Sequence, residues 1–419
     1  MANKEIAGFS AARLQRIDRV LTDKYVATGQ IPGYVLQIFR HGTLVHTGTG
    51  GSRDIARGQP MQDDTLFRIY SMTKPVTAVA AMMLAEEGKI GLDDEVQQHI
   101  PSWRNQRVYV SGIPGLSTEP TGKFITVQPK RPVKVIDLLT HTSGLTYGFM
   151  MRTAVDAEYR RLKIGDFGTP GGLDAFVEQL AAVPLDFSPG ERWNYSVSLD
   201  VLGYLVQKLS GQRFGDFLST RLFEPLGMID TAFFVPADKL GRLGCCYMPK
   251  RDGGGLEVQD DGRASTFAAP PVLESGGGGL VSTAGDYLRF CRMLLNGGTL
   301  DGACILSSKT VEMFGRNFLP AGKLLSDMVA GEGMFTEAGY AGVGFSLGCG
   351  VTMDLAKTRL PGSVGEYFWG GAAATAFWID PKEDLAVVFM TQVLGSESRL
   401  ALRRDLRTLV YSAIVDGQR

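Results

Sequence analysis

Phe67-Arg68-Ile69-Tyr70-Ser71-Met72-Thr73-Lys74-Pro75-Val76 places Ser71 three residues ahead of Lys74, at the head of an apolar run that continues to Gly88. The run predicts a buried helix. Pro75 suits a first helical turn, where an N–H has no partner to lose, and Gly88 suits the stop. Side chains at i and i+3 share one helix face, so the Lys74 amine can stand beside the Ser71 hydroxyl. A serine hydroxyl becomes a useful nucleophile when a neighbouring base takes its proton, and a lysine in a dry pocket can serve as that base. The N-terminal end of the helix offers unpaired N–H groups to a developing oxyanion. Ser-x-x-Lys alone is a weak signal, because a chain of this length shows about one such match by chance.

The surrounding chain has 419 residues, 44% hydrophobic and 21% charged, with a formal net charge of -1. That composition is ordinary for a globular protein with a large core or two lobes. The balanced charge argues against nucleic acid as a partner, and no stretch is long and apolar enough to span a membrane. Met1 to Ala7 lacks the apolar core of a secretory signal, so the expected location is cytoplasmic. Five cysteines without a C-x-x-C suggest neither a zinc site nor a disulfide framework; Cys245, Cys246, Cys291, Cys304 and Cys349 read as small buried hydrophobes.

Upstream of Ser71, residues 10–28 predict an amphipathic helix with Leu14, Ile17, Leu21 and Tyr25 on one stripe, followed by a hairpin turning at His41-Gly42. From about residue 92 to 229 the readable segments are mainly helical, at 133–139, 173–182 and 214–226, with another after Asn194-Tyr195-Ser196 that carries Leu199, Leu202, Leu205, Val206 and Leu209 and closes at Gly211. Strands return near 231–235 and 256–258. A helix is expected at 285–295, strands at 342–352, 366–379 and 385–391, and a closing helix at 398–415. Strands at both ends with helices between predict an α/β (α+β type) fold. One domain is built from 1–91 and 230–419, a mainly helical domain from 92–229 is inserted into it, and the active site lies between them.

Three motifs then occur in order: Ser71-x-x-Lys74, Tyr195-Ser196-Val197 and Trp369-Gly370-Gly371. With Leu138 to Leu145, Ser188-Pro189-Gly190 and Gly278 to Thr283, the chain resembles the serine β-lactamase and penicillin-binding-protein superfamily over about residues 10–415. Within it the chain looks most like the family VIII carboxylesterases, which share the class C β-lactamase fold, an antiparallel sheet flanked by helices. The resemblance implies that Ser71 becomes acylated, and that Lys74 and Tyr195 share the proton work in an order it leaves open. The backbone N–H groups of Ser71 and Ala372 would form the oxyanion hole, and Trp369, Gly370 and Gly371 would border the substrate. Phe149-Met150 and Met334-Phe335 are candidate walls of an apolar acyl pocket.

Two departures bear on the substrate. β-Lactamases usually carry Asn where Val197 stands, and Lys-Thr-Gly where Trp369-Gly370-Gly371 stands. The lysine absent there would have met a β-lactam carboxylate. The expectation is therefore a serine carboxylesterase acting on short- to medium-chain acyl esters, with no metal and no cofactor. A β-lactamase with weak activity, or an acyltransferase with the same Ser-Lys-Tyr machinery, is the alternative. A non-catalytic binding protein of the same fold is a third reading, disfavoured by the intact Ser71, Lys74 and Tyr195. The small-molecule ester is the expected partner; the sequence does not state an oligomeric state.

Gly344-Phe345-Ser346-Leu347-Gly348 matches the G-x-S-x-G nucleophile elbow. That reading needs a histidine downstream, yet His41, His46, His99 and His141 all precede Ser346. Ser346 is expected to be a strand residue. His141 is expected to be a hydrogen-bonded structural histidine, and the glycines at 276–279 a backbone turn beside the pocket.

Overall fold

The computed structural model describes residues 5–112, 124–330 and 339–415. Its centre is an eight-stranded sheet in the spatial order Val343–Phe345, Gly350–Thr352, Tyr367–Gly370, Ala376–Asp380, Leu385–Met390, Gly33–Arg40, Thr43–Asp54 and Gln59–Pro60. Every pairing in it is antiparallel. Strands from the two ends of the chain meet at its middle, where Val35 lies opposite Met390 and Arg40 opposite Leu385. The hairpin between Gly33–Arg40 and Thr43–Asp54 turns at His41 and Gly42, both at positive φ, which matches the right-handed twist of the flanking strands.

Side chains alternate across this sheet, and both faces are covered. Leu36, Ile38, Trp378, Val387 and Phe389 pack with Leu14, Ile17, Leu21 and Tyr25 of the N-terminal helix and with Leu402, Leu406 and Val410 of the closing helix, Arg399–Ala413. Val35, Phe39, Phe377, Ile379 and Val388 face the opposite way, into the larger core. That core contains the Ser71 helix, Thr73–Glu86, whose residues from Thr73 to Leu84 are all buried, and the helix Ala284–Leu295. The helices of residues 135–226 join the same core, chiefly where Ser198–Ser210 packs on the Ser71 helix.

Three expectations about strands need correction. Residues 231–235 make one bridge, Ala232 to Val281, and no strand. Residues 342–352 form a hairpin, because the chain folds back between Phe345 and Gly350 with Gly348 at φ +71. Residues 366–379 are likewise two strands, turned back over Gly371–Thr375. In both places glycine breaks a run whose alternation reads as continuous. A short hairpin, Val108–Gly112 with Phe124–Val127, also interrupts the helical region and was not expected. The cysteines are free thiols and all are buried except Cys304, which is exposed.

Among the described residues, no helix is long and apolar enough to cross a membrane, and no group of ligating side chains could hold a metal ion. Met334 and Phe335 lie outside the described residues, as do Met1–Lys4.

Candidate active site

Ser71 sits on a short helical turn, Tyr70–Met72, that feeds directly into the Thr73–Glu86 helix. The turn is held from several sides. Phe67 and Arg68 pair with Ser282 and Val281, and the Ile69 N–H donates to the Leu280 carbonyl at 3.0 Å. The Tyr287 hydroxyl donates to the Met72 carbonyl at 2.9 Å. The fully buried Arg68 guanidinium binds Asp260, the Gly244 carbonyl and Ser265, tying the segment to residues 244–265. Tyr70 is at φ +42, a conformation that costs energy for a side chain of this size and persists only where its surroundings over-determine it. It is the residue immediately before Ser71.

The side chains of Ser71, Lys74 and Tyr195 converge. The Tyr195 hydroxyl donates to Ser71 Oγ at 2.6 Å, and Lys74 Nζ donates to the same oxygen at 3.1 Å. All three are buried. Lys74 Nζ also lies over the Tyr195 ring, 4.5 Å from its centroid, so ammonium and phenol share one small volume. Tyr195 is fixed by its ring contacts, stacked on Trp193 and in contact with His141, Tyr147 and Trp369. A phenol and an amine within hydrogen-bond reach of one hydroxyl can pass its proton in either direction.

Asp200, which sequence reasoning missed, supports Lys74 from below. Lys74 Nζ donates to the Gly277 carbonyl at 2.5 Å, and the Gly277 N–H donates to the Asp200 carboxylate at 3.0 Å. Ser275 Oγ binds that carboxylate as well. Burial pushes the Asp200 carboxyl above its ordinary value, while the Lys74 charge and the bonds from Ser275 and Gly277 pull it back. The signal in the sequence is slight: an acidic residue, five after Tyr195, in the first turn of a helix, where acidic residues are common anyway. The expected turn at 276–279 is thus the piece that carries the Lys74 acceptor. Asp200→Asn keeps the shape and removes the charge. It is expected to lower kcat for an ester by about 10- to 100-fold with KM little changed, and to displace the pH–rate profile. An unchanged profile with lowered thermal stability would make Asp200 structural only.

His141 is no partner of Ser71. Its Nδ1 takes the Ser196 N–H at 3.2 Å and lies 3.0 Å from Ser196 Oγ, while its ring packs 4.9 Å from that of Tyr195. Burial, with Lys74 nearby, pushes its pKa well below 6.5. The folded chain therefore refuses a proton that the unfolded chain accepts below about pH 6.5. Stability should be level with respect to this group above that pH and fall as the pH drops below it, by up to about 1.4 kcal/mol per pH unit for one proton. Thermal melts of the wild type and His141→Asn from pH 7.5 to 5 test this; equal slopes would show that His141 does not set the acid limb.

Ser71 and Tyr195 open onto a cavity of about 580 Å³ whose walls include Tyr147, Phe149, Phe167, Gly277 and Ala372. Phe149 and Ala372 are thus both in the wall of the cavity that holds Ser71. Met150 is buried and is not among the lining residues. Trp369, Gly370 and Gly371 are not among the residues that line this cavity, although the adjoining Ala372 is. Trp369 is buried beneath the Tyr195 ring and meets Phe345 edge-on. The glycines serve the chain's own packing. A Cβ on Gly371 would overlap the Ile69 carbonyl, two residues before Ser71, and one on Gly370 would overlap the Arg403 guanidinium. Gly371 thereby lets the Ala372 turn close against the Ser71 turn. Ser346, in the hairpin turn rather than in a strand, donates Oγ–H to the Met313 carbonyl at 3.0 Å and is buried. The neighbouring Gly348 lies against the Lys74 carbonyl, where a side chain would crowd the Ser71 helix.

A family model described as Beta-lactamase matches residues 19–412. Protein Rv1367c of Mycobacterium tuberculosis is 36% identical over 369 residues, covering 87% of this chain and 86% of that protein. Esterase EstB of Burkholderia gladioli is 30% identical over 422 residues, covering 96% of each. Among solved structures, EstCE1, a hydrolase with promiscuous acyltransferase activity, superposes with a TM-score of 0.75 at 25% identity, covering 96% of this chain and 99% of that one.

Proposed function

Because the chain belongs to the beta-lactamase family, we propose that it is a serine carboxylesterase of the family VIII type, acting on short- to medium-chain acyl esters. The observation that carries the reading is the meeting of the Tyr195 hydroxyl and the Lys74 amine on one oxygen, Ser71 Oγ, at 2.6 and 3.1 Å. Similarity to Esterase EstB along the whole chain supports it.

In this mechanism Ser71 Oγ bonds to the ester carbonyl carbon and gives its proton to the Lys74–Tyr195 pair. The carbonyl oxygen becomes an oxyanion facing the N–H groups of Ser71 and Ala372. When the tetrahedral centre collapses, the C–O bond to the alcohol breaks and the pair returns the proton to the departing oxygen. Water then repeats the sequence on the acyl-enzyme, releasing the acid and restoring Ser71. The lysine that would meet a β-lactam carboxylate is replaced by Trp369, so esters are favoured over lactams.

Quenching p-nitrophenyl butyrate turnover in acid and digesting the protein should give a Ser71 peptide heavier by one butyryl group. A chromogenic cephalosporin assayed beside the ester should turn over far more slowly. Cephalosporin cleavage as fast as ester cleavage would replace this reading with a β-lactamase. Butyryl transfer to an added alcohol in preference to water would replace it with an acyltransferase, the second reading, which the similarity to EstCE1 favours.

A further inference from the structure

A second cavity, of about 750 Å³, shares no lining residue with the one that holds Ser71. It lies against the closing helix and the strands Tyr367–Gly370 and Ala376–Asp380. Its volume is that of a site for a drug-sized molecule. The wall chemistry is one-sided. Lys357, Arg359, Arg403, Arg404 and Arg407 all line it, and no Asp or Glu does among the described residues. These cations have partners in the chain itself: Glu366 holds Arg407 at 2.8 Å, Asp354 is 3.8 Å from Lys357, Arg403 donates to the Gly371 and Thr375 carbonyls, and Arg404 donates to the Thr358 carbonyl. The rest of the wall is mostly apolar and aromatic. Arg407 lies over the rings of Phe368 and Trp378, at 4.5 and 5.5 Å, so its charge is spread along an aromatic surface. The indole N–H of Trp378, a lining residue on this face, is buried without a hydrogen-bond partner.

We propose that this cavity binds an amphipathic monocarboxylate, with its ring or chain against Phe368 and Trp378 and its carboxylate on the arginine side. An apolar body alone would leave the cationic side of the wall, with the exposed Arg359 and Arg404, without a counterpart. A small inorganic anion would leave the aromatic wall uncovered. An anionic head on an apolar body meets both demands and can also accept from an unpaired indole N–H. This inference does not depend on the esterase reading.

A matched pair of fluorescent probes tests it: 1-pyrenebutyrate and the uncharged 1-pyrenebutanol, titrated against the full chain by anisotropy. The acid should bind saturably and about tenfold or more tightly than the alcohol, as expected when a charge-assisted contact is added. Arg359→Glu and Arg404→Glu, on exposed parts of the wall, should each weaken the acid by about tenfold and the alcohol by less than about twofold. Lys163→Glu, in the wall of the Ser71 cavity, should change neither. Equal affinity for the two probes would overturn the proposal. So would loss of binding in Lys163→Glu with Arg359→Glu and Arg404→Glu unaffected, which would put the ligand in the Ser71 cavity. Melting temperatures of the variants separate lost binding from lost folding, and the two-probe comparison stands on the wild type alone.

Discussion

The Ser71→Ala variant is expected to lose about 10⁴-fold or more of its kcat on p-nitrophenyl butyrate while melting within a few degrees of the wild type. The large loss follows from there being no substitute for the missing oxygen. The other hydroxyls close by are committed elsewhere: Ser275 to Asp200, Ser196 to His141 and Ser198, and Ser346 to the Met313 carbonyl. The small effect on stability follows from what remains. Alanine fits the turn, the backbone bonds of Ile69 and Met72 do not involve the side chain, and Lys74 keeps the Gly277 carbonyl. Residual activity above about 1% of wild type would mean that an adjacent group or a bound water attacks instead, since losing an acylated nucleophile costs far more than that.

The parts of the fold that were legible in the sequence are those whose signal is local. The Ser71 helix announces itself by a run from Pro75 to Ala85 that is apolar except at Thr77, and the N-terminal helix by a stripe that ends up against the sheet. The first hairpin is written in His41-Gly42, a pair suited to positive φ. What was not legible is where alternating runs fold back. Gly348 turns the chain because it must lie against the Lys74 carbonyl, and Gly371 because it must lie against Ile69; both reasons are contacts with residues hundreds of positions away. The same holds at the candidate site. Ser71 and Lys74 are two residues whose spacing allows contact on one helix face, and the order of the three motifs singles them out together with Tyr195. Asp200 is not singled out, since its part depends on Gly277 being brought between it and Lys74. Trp369 was read as a wall of the substrate cavity because its motif sits there in the family. Its side chain instead supports the Tyr195 ring from beneath, an arrangement no periodicity could reveal.

Tyr195→Phe is expected to lower kcat on p-nitrophenyl butyrate by roughly 10²- to 10³-fold with KM changed less than about threefold. Phenylalanine preserves the contacts with Trp193, His141, Tyr147 and Trp369 that hold the ring, so the variant should fold. What disappears is the hydroxyl that donates to Ser71 Oγ at 2.6 Å. The choice of ester then separates its two duties. A p-nitrophenolate departs without needing a proton, so the loss on that substrate measures Tyr195 only as the base, or as part of the base, for Ser71. An alkyl butyrate releases a strongly basic alkoxide and needs the proton returned. If Tyr195 is also the acid, the variant should lose about another tenfold or more on ethyl butyrate. Equal losses on both esters would leave the return of the proton to Lys74, which sits 3.1 Å from the same oxygen. Activity on both esters within tenfold of wild type would remove Tyr195 from the proton path altogether and make Lys74, supported through Gly277 by Asp200, the sole base.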